Sequence, residues 1–114
     1  MTIDQIIEKI KENNRQADVD LVRLAFDFAD RAHAGQERRS GEPYIQHSLH
    51  TAFMLAQMKA DINTIIAGLL HDVPEDTEKT IEDIEMNFGK EIGSLVNGIT
   101  KLGKIKYRGI EICP

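Results

Sequence analysis

Asp61-Ile62-Asn63-Thr64-Ile65-Ile66-Ala67-Gly68-Leu69-Leu70-His71-Asp72-Val73-Pro74-Glu75-Asp76 is the stretch on which the reading of the fold turns. Ile62, Ile65, Ile66, Leu69 and Leu70 fall at i, i+3, i+4, i+7 and i+8, the spacing that lays one apolar stripe along an α-helix. Asp61 is placed to cap its first turn. Pro74 disfavours a helical conformation at Val73, so the helix is predicted to end at His71-Asp72. The most apolar helix of the chain therefore delivers an imidazole and a carboxylate at its end.

The same period recurs on both sides, and no stretch sustains the alternation of a strand. Upstream, Thr2 with Gln5 offers a capping box for a first helix carrying Ile3, Ile6, Ile7 and Ile10, ended by Asn13 and Asn14. A second helix is predicted from Asp18 or Asp20 to Ala34, with Leu21, Ala25, Phe28, Ala29 and Ala32 inward and Gly35 as its C′ residue. Gly35 to Pro43 reads as a polar loop. A third helix turns Ile45, Leu49, Ala52, Phe53 and Ala56 inward. Downstream, Thr80 with Asp83 opens a short helix with Ile81, Ile84 and Phe88, closed by Gly89. A last helix carries Ile92, Leu95, Val96 and Ile99, and the stretch from Thr100 to Pro114 shows no helical stripe. The expectation is an all-α bundle of six helices.

The chain has 114 residues, one domain at the small end, for which folding removes roughly 60–70% of the unfolded surface from water. Its net charge of −5 argues against non-specific nucleic-acid binding, which needs a basic surface. A phosphate substrate would have to be met by a metal or by a few local cations. The single Cys113 cannot form an internal disulfide, which suits a reducing compartment. Met1-Thr2-Ile3-Asp4 has neither the basic start nor the apolar stretch of a signal peptide, and the apolar run Ile65 to Leu70 is too short to span a membrane. A cytoplasmic domain with no nucleic-acid or membrane partner is expected.

His47, the His71-Asp72 pair and the Glu75-Asp76 pair are the residues with chemistry to offer. Imidazole and carboxylate together suit divalent metals, and packed helices can bring such ligands to one point. The plain alternative is a surface His47 and a helix-end His71-Asp72 with local hydrogen bonds, which is the usual fate of an isolated His-Asp dipeptide. Context weighs against it. Asp72, Glu75 and Asp76 crowd three carboxylates into five residues, and they repel one another unless a cation or proton offsets them. Arg38, Arg39 and Ser40 form the opposite kind of patch, able to grip phosphate or stack on a base, or simply a solvated loop. His33 falls at a helix C-terminus and His50 on a polar face; neither is assigned to the metal.

Taken in order, the motifs resemble the HD hydrolase domain of RelA/SpoT-type alarmone enzymes. They are Ala32-His33-Ala34-Gly35-Gln36, Arg38-Arg39-Ser40-Gly41-Glu42-Pro43-Tyr44-Ile45 with His47, His71-Asp72-Val73-Pro74-Glu75-Asp76-Thr77, and Thr100-Lys101-Leu102, spanning about residues 20 to 105. The resemblance implies an all-helical HD fold and Mn²⁺-dependent removal of pyrophosphate from the 3′ position of ppGpp or pppGpp, a guanine nucleotide. It further implies His47, His71 and Asp72 as metal ligands, Glu75 and Asp76 as the pair acting on the attacking water, and Arg38, Arg39 and Ser40 as the nucleotide cradle.

The sequence departs from the family at one place. The family's fourth ligand is an Asp in a later helix of Ala-Asp-Arg-x-His-Asn type, and no such segment occurs after Tyr107. Residues 1–114 therefore read as a single HD domain lacking its last helices. The departure leaves two alternatives to a hydrolase: a non-catalytic guanine-nucleotide-binding or regulatory module, and a helical dimerisation piece forming a homo-oligomer through uncovered apolar faces. Fewer ligands mean weaker binding of a hard cation. The 114-residue chain is expected to turn over ppGpp more slowly with saturating Mn²⁺ than a version extended through an Asp-bearing helix, and equal rates would show that the later Asp is dispensable.

Overall fold

Capping side chains mark where four of the helices begin. In this computed structural model residues 1–36, 41 and 43–109 are described, with the side chains of residues 100–109 excepted. Thr2 and Gln5 bond each other's backbone N–H groups, so the predicted capping box opens α1 (Ile3–Asn13). Asp18 accepts from the Leu21 N–H and opens α2 (Val19–Ala32). Pro43 leads into α3 (Tyr44–Gln57), and Asp61 accepts from the Thr64 N–H at 2.9 Å to open α4 (Ile62–Leu70). A single turn, α5 (Val73–Asp76), comes next. The second capping box, Thr80 with Asp83, opens α6 (Ile81–Phe88), and α7 (Lys90–Gly109) completes the described chain. The architecture is the expected all-α bundle, with six longer helices and the α5 turn.

α4 is the axis of the packing. It lies against α2, α3 and α7, while α1 covers α3 and α2, and α6 packs on α7. Ile65, Ile66, Ala67, Gly68, Leu69 and Leu70 are all buried, so its second half has no solvent face. Burying each large aliphatic side chain contributes about 1.5–3 kcal/mol, which makes this segment the densest source of stability in the domain. Gly68 allows α3 its close approach, because a Cβ there would lie 2.5 Å from Leu55 Cδ1. Phe28 meets Phe88 edge to face at 5.5 Å and ties α2 to α6.

Four local expectations need correction. α2 stops at Ala32 rather than Ala34, because His33 takes the cap position and returns its N–H to Ala29 O. Gly35 consequently lies one place beyond C′, where its φ of +82° turns the chain. Val73, expected outside any helix, begins α5 and is fully buried; Pro74 falls in the first turn, where its missing N–H has no partner to lose. The last helix, expected to finish near Ile99, continues to Gly109, since no proline interrupts it and an established helix extends at low cost per residue. Val22 and Ser48 are buried although neither was placed on its helix's inner stripe.

These roles separate in stability. Leu69→Ala is expected to cost about 2–5 kcal/mol through the cavity it leaves. Asp61→Ala removes one cap from the same helix and is expected to cost only about 1 kcal/mol. Urea unfolding midpoints of the two variants check this, and a larger loss at Asp61 than at Leu69 would contradict the packing account.

Candidate metal centre

The site grows from the two ends of buried helices. His47 lies in the first turn of α3, His71 caps the C-terminus of α4, and Asp72 occupies the junction to α5. Asp72 Oδ2 is 3.0 Å from His71 Nε2 and 3.3 Å from His47 Nε2. One donor atom from each of the three residues lies within 4.8 Å of the others. The three predicted ligands, drawn from two helices and a junction, thus converge on one point.

Proton bookkeeping at His71 makes this arrangement chemically specific. His71 Nδ1 lies 2.7 Å from the Gly68 carbonyl oxygen, which can only accept, so Nδ1 carries the proton. In the neutral ring Nε2 then presents a lone pair to a carboxylate oxygen. Asp72 Oδ2 is buried and, despite the two short distances, has no hydrogen bond of acceptable geometry among the described residues. The distances are those of an ion pair, yet the oxygen is left without an aligned hydrogen bond among the described residues, and three donors so close together suit a shared cation. Two lone pairs so close require a cation between them, a proton or a metal ion. Imidazole and carboxylate donors, one ring held by a backbone carbonyl, fit a divalent metal.

The electrostatics carry the same message. Burial pushes the Asp72 carboxyl up, but the imidazoles of His47 and His71 outweigh it and hold the group well below the usual carboxylate range. Burial pushes His71 down, yet the Asp72 carboxylate, the Gly68 carbonyl and the charge of Asp76 together raise it above its ordinary value. The pair prefers to be charged.

Of the predicted water-handling pair, Glu75 and Asp76 both sit exposed on α5. Asp76 is tied down: its Oδ2 accepts from the Tyr44 hydroxyl at 2.7 Å and its backbone carbonyl accepts from Gln36 Nε2 at 2.7 Å. Arg38, Arg39 and Ser40 lie outside the described residues, as do the side chains of Thr100, Lys101 and Leu102. His50 is exposed on α3, apart from the cluster, as expected. Sequence reasoning assigned no role to Tyr44 or Gln36. Tyr44 precedes His47 by one helical turn, and that i, i+3 spacing was the available signal.

The HD domain family matches residues 25–109, most of the chain and close to the interval carrying the sequence motifs. The chain belongs to the HD domain family. This HD domain is 44% identical over 108 residues to the guanosine-3′,5′-bis(diphosphate) 3′-pyrophosphohydrolase of Aquifex aeolicus, covering 95% of the chain and 15% of that relative. It is 52% identical over 87 residues to the bifunctional (p)ppGpp synthase/hydrolase SpoT of Escherichia coli, covering 76% of the chain and 12% of that protein. The chain thus spans 12% to 15% of the length of these relatives. Among solved structures it resembles a metazoan ortholog of SpoT, described as hydrolysing ppGpp, with a TM-score of 0.65 and 32% identity over 68% of the chain and 46% of that chain. The HD assignment carries divalent-metal binding with it, and the His47, His71 and Asp72 cluster is the group that could hold the ion.

The charged pair should be visible in stability. In metal-free protein the raised His71 pKa adds stability that is full below its unfolded value and is lost as pH rises through the folded one. The lowered Asp72 pKa adds stability that is full above its unfolded value and is lost as pH falls through the folded one. Their joint contribution is therefore greatest between about pH 4 and about pH 6.5. Urea titrations in chelator across that range should show it, and His71→Gln should abolish the alkaline decline. Divalent-metal affinity should fall on acidification through the His71 transition, because the ion competes with its proton.

Proposed function

We propose that this HD domain is a divalent-metal phosphohydrolase acting on ppGpp and pppGpp, releasing pyrophosphate from the 3′ position, with Mn²⁺ as its ion and residues 1–114 as one domain. The observation that carries the reading is the convergence of His47, His71 and Asp72 with the His71 tautomer held so that its lone pair faces the carboxylate. The names of the relatives supply the substrate class.

When bound, a divalent ion lowers the pKa of water toward neutrality and offsets charge on the phosphate. His47, His71 and Asp72 hold it. Asp76, kept in place by Tyr44 and Gln36, accepts a hydrogen bond from the attacking water and orients it. Glu75, an exposed carboxylate on the same turn, takes up the proton released. Arg38, Arg39 and Ser40 grip the nucleotide, the guanidinium groups bidentately, which supplies the local positive charge that a chain of net charge −5 otherwise lacks. No helix among the described residues is long and apolar enough to cross a membrane, and the reading assigns the activity to the cytoplasm.

One observation favours a second reading. Among the described residues the cluster offers three donors, one each from His47, His71 and Asp72. A domain that retains nucleotide without turning it over is the outcome if three donors hold metal too weakly.

The test is metal analysis followed by ppGpp turnover at saturating Mn²⁺. His47→Ala should lose metal and activity together. Glu75→Gln and Asp76→Asn should keep metal and lose roughly 10²–10⁴-fold in kcat. Arg38→Ala should weaken ppGpp binding. A metal-loaded parent that binds ppGpp without releasing pyrophosphate would replace the first reading with the second.

A further inference from the structure

Beside the three donors lies a second group of side chains that the chemistry above does not require as ligands. Gln36 is its organiser. Its Nε2 donates to the Asp76 carbonyl at 2.7 Å, so its Oε1 is the atom that faces His33 Nδ1 at 3.0 Å. An amide oxygen only accepts, and His33 therefore carries its proton on Nδ1. His33 is 2% exposed, its Nε2 has no hydrogen-bond partner among the described residues, and its ring stacks on Tyr44 with centroids 4.6 Å apart and planes 18° from parallel. The Tyr44 ring in turn meets His47 edge-on at 5.9 Å, while its hydroxyl donates to Asp76 Oδ2 at 2.7 Å. The contacts close a loop from His33 through Tyr44 and Asp76 to Gln36 and back.

From this loop we infer that Tyr44 is a positioning residue, one that holds the His47 imidazole and the Asp76 carboxylate in a set relation to each other. The inference rests on the proposed hydrolase reading and assigns that site a residue beyond its ligands and carboxylates. An exposed aspartate ordinarily samples several rotamers, and the tyrosine hydroxyl selects one. A histidine ligand held only through its metal bond could swivel about its side-chain torsions, and the phenol edge limits that swing. One ring thus restrains a group on α3 and a group on α5, elements separated in sequence by all of α4. His33 and Gln36 do the remote work: the buried imidazole backs the phenol, and the amide pins the α5 turn from its carbonyl side. Such outer partners orient the groups that act, and a site loses function when they are left slack.

The two contacts of Tyr44 can be removed separately. Tyr44→Phe deletes the hydroxyl and keeps both ring contacts; Tyr44→Leu deletes the ring as well. In the metal-free full chain, Tyr44→Phe should move the side-chain carboxyl ¹³C resonance of Asp76, the stronger partner of the hydroxyl, further than that of Asp72. Calorimetric titration with Mn²⁺ alone should give Tyr44→Phe an affinity within about twofold of the parent and Tyr44→Leu one weaker by about tenfold. In ppGpp turnover, Tyr44→Phe should lower kcat by about tenfold with KM nearly unchanged, the signature of a misplaced group rather than lost substrate binding. A tyrosine that only supports the fold would instead lower the thermal midpoint while the resonance, the metal affinity and kcat per folded molecule held. An unmoved Asp76 resonance in Tyr44→Phe, or parental kcat in that variant, overturns the inference, as does parental metal affinity in a folded Tyr44→Leu. If the parent itself releases no pyrophosphate, the hydrolase reading fails, and the resonance and the metal titrations still decide the role of Tyr44. If Tyr44→Leu does not fold, His33→Leu, which removes the backing of the ring, takes its place in the titration with the same expected weakening.

Discussion

From Ile65 to Leu70 every residue of α4 is buried, so this helix must be enclosed on all sides, and α2, α3 and α7 enclose it. A helix without a solvent face has no freedom to rotate or slide without disturbing a core packed at crystal-like density. The residues immediately C-terminal to it inherit that fixity. His71 and Asp72 emerge at a point determined to within the tolerance of the core, and a helix packed on the same axis brings His47 to them. The precision of the donor cluster is thus a consequence of hydrophobic burial rather than of anything polar.

Polar interactions then refine what burial sets up. The Gly68 carbonyl, one of the helix-end acceptors that α4 cannot satisfy internally, takes the Nδ1 proton of His71. An unavoidable feature of a helix C-terminus becomes the device that leaves the other ring nitrogen with a lone pair facing Asp72. Asp72 is left as an acceptor between two rings, buried and strongly biased toward its charged form. A carboxylate held in its charged form between two rings favours a cation beside it, whether the proton of His71 or an ion. The α5 turn adds the next layer, since the buried Val73 anchors it while Tyr44 and Gln36 hold its far end. Tyr44, whose phenol is pushed up first by burial and then by its bond to the Asp76 carboxylate, stays protonated and therefore remains a donor.

Much of this was legible in the sequence, for identifiable reasons. The apolar stripe of α4, the capping boxes at Thr2 and Thr80 and the cap at Asp61 are local, short-range signals, and each appears where the spacing put it. Where the reading failed, a non-local term won. Val73 was expected outside any helix because of Pro74, but its side chain fits the core and the turn forms around it. Val22 and Ser48 are buried because α2 and α3 each have neighbours on more than one side, so a single stripe underestimates what is enclosed. His33 caps the end of α2, where the sequence put it, but its burial against Tyr44 comes from packing that no local signal shows.

By itself, then, the sequence determined the longer helices and their capped starts and singled out the residues that converge, because helical period, caps and side-chain chemistry are properties of residues a few positions apart. That His47, His71 and Asp72 share one point, that the His71 lone pair faces the carboxylate, and that Tyr44 touches both His47 and Asp76 were decided only by the tertiary structure. Those relations depend on the angle and depth at which α3 and α4 pack, and such quantities belong to the filled core as a whole rather than to any segment of it.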